Sequence, residues 1–107
     1  MIGAKTSPPP PDFKGLPGAA LIEHGIADGK KGTTSVEALL VAIAAPRLRR
    51  LGIDVPPSLC HVRDGELQLY REICRQRIPD PYSHYNALLR QLVSFEHALE
   101  RRLSRAR

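Results

Sequence analysis

Apolar side chains repeat at three- and four-residue steps through most of this chain, and nowhere alternate singly over a useful length. The first rhythm is that of a one-sided helix, the second that of a strand. The clearest helix is C-terminal: Tyr85, Leu88, Leu89, Leu92, Phe95, Leu99 and Leu103 form one stripe, with Asn86, Arg90, Ser94, His97, Arg101 and Arg105 opposite. Asp80 can accept from first-turn amides and Pro81 suits the first helical position, so the helix is expected over about 81–104.

Three shorter helices precede it. Leu16 to Ile26 reads as the first, with Pro17 near its start and Gly25 or Gly29 as its stop. Thr34-Ser35-Val36-Glu37 reads as a capping box, with the Thr34 hydroxyl serving the Glu37 amide. The helix that follows, about 35–51, is apolar on all sides through Ala45, so it belongs at the centre. Pro46 should kink or break it, and Gly52 with Ile53 should end it, Ile53 meeting Leu48. Asp54 to His61 reads as an extended connection. Asp64 then caps a third helix, Gly65 to Arg77, with Leu67, Tyr70, Ile73 and Cys74 inward and Gln68, Arg71 and Arg75 outward.

The pattern predicts an all-α fold, a small four-helix bundle-like domain over 16–107. Residues 1–15 are set apart as a disordered leader, since Pro8 to Pro11 can join neither helix nor sheet ladder. About 24 residues of the last helix span about 36 Å, more than the core of a domain with a radius of gyration near 12 Å. Its end should therefore overhang or pack on a second copy. On this reasoning a homodimer is expected, with Phe95, Leu99 and Leu103 at the interface and Arg101, Arg102 and Arg105 at its rim.

Composition narrows the chemistry. The chain has 107 residues, a net charge of +5, no Trp and two Cys. Every Lys lies before residue 32 and every Arg after residue 46. Arginine wealth beside much Ala, Gly and Pro fits codon bias, yet Arg is also the residue suited to phosphate. No apolar run approaches the roughly twenty residues of a membrane span, and Met1 to Phe13 lacks a signal-peptide core. A cytoplasmic protein with reduced Cys60 and Cys74, and no membrane contact, is expected.

Three features could carry chemistry. Glu96 sits within the apolar stripe of the last helix, so it should be a buried charge paired with an arginine such as Arg49 or Arg50, not an acid facing a ligand. Ser83, His84, Asn86 and Arg90 gather near the start of that helix, where free amides favour an anion or a partner. Cys60, His61 and Cys74 lack the short knuckle of a structural zinc site, and no P-loop or nucleophile–base pair is evident. No catalytic residue, metal or cofactor is assigned. The function expected is a non-catalytic helical protein-interaction module that self-associates. The competing reading is a nucleic-acid-binding protein using the third and fourth helices and their basic face, since His84, Asn86, Arg90 and Gln91 follow a short turn at Ile78 to Asp80.

Overall fold

The computed structural model describes residues 12–105, and the proline run at Pro8 to Pro11 lies outside them. Five helices follow one another: α1 Ala19–Lys30, α2 Val36–Arg50, α3 Pro57–Cys60, α4 Gly65–Arg75 and α5 Pro81–Arg105. Among the described residues there is no strand, and the architecture is all-α with the long C-terminal helix expected. α2 is the centre, packed by all four others. Ala38, Leu40, Val41, Ala44 and Leu48 are fully buried along it, so its uniformly apolar composition is met by apolar neighbours on most sides.

α1 runs through both glycines named as stops. Gly25 and Gly29 are buried inside the helix, and each marks a close approach. A Cβ on Gly25 would overlap the Glu37 carbonyl, and one on Gly29 would come within 2.5 Å of Leu59 Cδ1. The missing side chains let α1 lie against α2 and α3; they do not turn the backbone. The cap of α2 also lies one residue later than the sequence suggests. Ser35, not Thr34, accepts from the Ala38 amide at 3.0 Å, and its hydroxyl donates to Asp28 Oδ2 at 2.6 Å, tying α1 to α2.

α2 passes through Pro46 without a break. Pro46 is exposed and Ala42 only half-buried, so water can serve the Ala42 carbonyl that the proline leaves without an amide. The helix ends as expected. Gly52 takes φ +92°, its amide donates to Arg49 O, and the Ile53 amide donates to Leu48 O at 3.0 Å, a Schellman closure with Ile53 and Leu48 both in the core.

Two elements differ from the sequence reading. The connection after Asp54 contains the short α3, which drops Leu59 into the core. α4 is rotated: Leu69 and Ile73 are buried, Tyr70 is half-buried, and Leu67 and Cys74 are exposed. Gly65, Leu69 and Ile73, four residues apart, form its seam, and Gly65 opens it by lying against Ile43 of α2. The Asp64 carboxylate does not cap α4; its backbone carbonyl accepts from Gln68 N at 2.9 Å.

The end of α5 is covered by the chain itself. Phe95 and Leu99 are 0% exposed and Leu103 is half-buried. The cover includes residues assigned to the leader: Phe13 meets Phe95 edge-on at 5.3 Å, and Arg102 Nη1 donates to Asp12 O and Lys14 O at 3.0 and 3.2 Å. The folded part therefore reaches back past residue 15. Phe95 and Leu99 therefore offer no surface to a second copy, and of the three apolar residues expected at a dimer interface only Leu103 keeps partial exposure.

Candidate functional site

Two surfaces carry unusual side chains. The first lies on the α4–α5 hairpin. Rotation of α4 leaves Tyr70 at the edge of its buried seam, within reach of the first turns of α5. Tyr70 meets Tyr85 edge-on at 5.7 Å and Tyr82 at 6.5 Å, and Tyr82 stacks on Tyr85 at 6.5 Å. These are all three tyrosines of the chain. Tyr82 is 64% exposed, and Leu67, one turn back from Tyr70, is 48% exposed. The Cys74 thiol beside Tyr70 raises the Tyr70 phenol above its ordinary value by hydrogen bonding, helped by charge on that thiol and by burial. Burial raises Tyr85, with the Glu66 charge adding to it. Both phenols therefore stay neutral and able to donate across the physiological range.

The second surface is a groove of about 550 Å³ between the C-terminal halves of α2 and α5. Arg47, Arg50 and Leu51 line it from the α2 side, and Glu96, His97, Glu100, Leu103 and Ser104 from α5. Glu96 is the one charged residue buried among those described, and both its oxygens accept from Arg47 Nε at 2.9 Å. The expected pairing of a buried Glu96 with an arginine is present, with Arg47 in the place given to Arg49 or Arg50. Continuity of α2 through Pro46 explains the choice, because it carries Arg47 past the proline on the side that faces α5.

The remaining predicted positions separate. At the start of α5 the Ser83 amide donates to Asp80 Oδ1 at 3.3 Å and the His84 amide to Asp80 O at 3.2 Å, so the chain's own cap serves those amides. Ser83 and Arg90 are exposed, while His84 and Asn86 are half-buried. Ser83 thus borders the tyrosines, and Arg90 lies two turns away on the solvent side. Arg101 and Arg105 are exposed beside Leu16 and Ala98, outside the lining of the groove, and Arg102 is half-buried on Asp12 and Lys14. Phe95 and Leu99, assigned to an interface, lie wholly inside.

Cys60 is half-buried, with Sγ 3.8 Å from Val55 O, and Cys74 is exposed. Among the described residues no three His, Cys, Asp or Glu side chains converge on a point, and no helix is long and apolar enough to cross a membrane. The chain matches no protein family, no curated protein and no solved structure.

The sequence conceals the tyrosine cluster, because Leu67, Tyr70, Ile73 and Cys74 fall at the helical spacing of a buried stripe. The glycine at position 65, four residues before Leu69, was the signal that α4 presses on its neighbour through a different face.

Proposed function

We propose that this protein is a non-catalytic helical interaction module that associates with a second copy of itself through the tyrosine face of α4 and α5. The observation that carries the reading is the gathering of every tyrosine of the chain at one exposed spot, beside an exposed leucine. Tyrosine contributes large contact area for little lost side-chain freedom, and such residues dominate the energy of protein interfaces. The rim favours a two-fold arrangement. Glu66 and Asp80 lie close enough to the tyrosines for their charges to act on Tyr85 and Tyr70, and the exposed Arg71 and Arg77 follow Tyr70 in sequence, so the face can carry both signs and complement itself when rotated by half a turn. The patch is small, which suits an association of about micromolar strength. A cytoplasmic setting belongs to the same reading, with Cys60 and Cys74 as thiols.

Sedimentation equilibrium over a concentration series tests it. The unmodified chain should shift from monomer to dimer, and Leu67→Lys with Tyr82→Lys should remain monomeric with unchanged helix content, since both positions are exposed. A chain that stays monomeric throughout, or a doubly substituted chain that still dimerises, would reject this interface.

A second reading rests on one separate observation. Asn86, Arg90, His97, Arg101 and Arg105 succeed one another at steps of four and seven along α5, and all but Asn86 are exposed. Such a stripe can track phosphates. Retention on duplex DNA that falls steeply with salt, and falls further in Arg90→Ala with Arg101→Ala, would support nucleic-acid binding over the protein-interaction reading.

A further inference from the structure

The arginines of this chain are unevenly placed. Six of its twelve, Arg47, Arg49, Arg50, Arg101, Arg102 and Arg105, lie on the last turns of α2 and α5, which the groove brings side by side. On those same stretches the acids are Glu96 and Glu100. Complementing a helix C-terminus takes a cation or two in the last turn, and α2 alone carries three. The surplus gives this end of the molecule a positive field that the helix dipoles do not require.

Within it, Arg47 is held in a defined orientation. Its Nε serves both oxygens of buried Glu96, while neither Nη donates a hydrogen bond to any described residue, and the side chain is 48% exposed. A guanidinium fixed through Nε presents its Nη edge as a planar fork, the geometry that takes a second oxyanion through two parallel bonds. Arg50 lines the same groove, and the half-buried Leu51 and Leu103 border it.

The geometry points to a binding site for an acidic segment of a partner protein: a carboxylate on the Arg47–Arg50 side of the groove, and an aliphatic side chain against Leu51 and Leu103. The lining selects this occupant over a nucleic acid. A phosphate backbone entering here would pass the Glu100 carboxylate and cover two leucines with charge. A peptide that alternates acids with aliphatic residues satisfies both kinds of wall, and can turn a neutral or basic side chain toward Glu100. This surface is separate from the tyrosine face, so the site does not depend on self-association.

Fluorescence anisotropy with the full chain provides the test. The probe is a short fluorescein-labelled peptide of glutamates and leucines, with a lysine–leucine peptide and a DNA duplex of similar length as comparisons. The acidic peptide should bind at low salt and the basic one should not. Arg50→Ala should weaken binding about tenfold, the loss expected for a charge-assisted hydrogen bond, without lowering the melting temperature. Arg47→Lys keeps the charge but loses the fork, and should weaken binding to a similar extent. Glu100→Gln should instead tighten it by roughly two- to fivefold, a gain that general damage to the fold would not produce. Three results would overturn the proposal: no binding of the acidic peptide at low salt, binding indifferent to Arg50→Ala and Glu100→Gln, or a DNA duplex that binds more tightly than the peptide and loses affinity on Arg50→Ala.

Discussion

Gly25→Ala is the sharpest probe of the way α1 meets α2, because two local effects oppose each other. Alanine inside a helix is favoured over glycine by about 1 kcal/mol, so helix propensity alone predicts a more stable protein. The structure predicts the reverse. The new Cβ would overlap the Glu37 carbonyl and lie 2.5 Å from Val41 Cγ2, against an ordinary carbon–carbon contact of about 3.5–4.0 Å. Val41 is fully buried and the carbonyl belongs to the backbone of α2, so relief requires α1 to move away along its length. That motion loosens Ile22 and the hydrogen bond from Ser35 to Asp28. Overpacking of a rigid contact costs about 1–3 kcal/mol, and the upper part of that range applies when a backbone atom is the obstacle. After the propensity gain, the net loss should be about 2 kcal/mol, or roughly 8–16 °C in melting temperature for a domain of this size. Thermal and urea unfolding followed by helical circular dichroism would measure it. Ala27→Gly, exposed on the same helix, serves as the propensity control and should cost about 1 kcal/mol. A Gly25→Ala protein more stable than the unmodified chain would refute the close crossing of α1 and α2.

The other perturbations address the core and the tyrosines. Glu96→Gln should destabilise by about 1–2 kcal/mol by weakening the bonds from Arg47, while Glu96→Leu should be close to neutral because the position lies within the apolar stripe and half-exposed Arg47 can turn to water; urea unfolding of both variants decides. Leu99→Lys should abolish cooperative thermal unfolding, since it places an ammonium where nothing is exposed, whereas Leu103→Lys should fold because its side chain can reach solvent through the groove. Absorbance titration of phenolate should find Tyr70 and Tyr85 ionising above the value of about 10 seen in denaturant. Because these folded-state values are raised, their contribution to stability is present below about pH 10 and is lost as pH climbs through them.

Periodicity made the all-α class, the long α5 and the buried α2 legible, because each rests on a long run in which one face is uniformly apolar. The stop at Gly52-Ile53 was legible for a similar reason: a left-handed glycine and its following apolar residue are a local device. Where the outcome depended on a neighbour, the sequence was ambiguous. Gly25 and Gly29 could equally end a helix or admit another, and only the position of α2 and α3 distinguishes the two. Ile73 lies inward as its spacing implies, but Leu67 and Cys74 compete with Leu69 for the rest of that face of α4, and contact of Gly65 with Ile43 decides. For the candidate sites the same division holds. That Glu96 needed an arginine followed from its place in the stripe, but which arginine depended on α2 continuing past Pro46. The cover that Phe13 gives Phe95 comes from a segment beside four prolines, where the sequence carries no sign of folding back.

The chain carries its own reporter for the proposed association of two copies through the tyrosine face. With no tryptophan and all three tyrosines in the one cluster, its ultraviolet emission comes from that face alone. A dilution series from high to low micromolar should change tyrosine emission and anisotropy along one binding curve, as Tyr82 passes from a covered to a solvated state, and Leu67→Lys should flatten that curve. Emission per molecule that stays constant across the series, while light scattering still reports a dimer, would place the interface elsewhere and contradict association through the tyrosines.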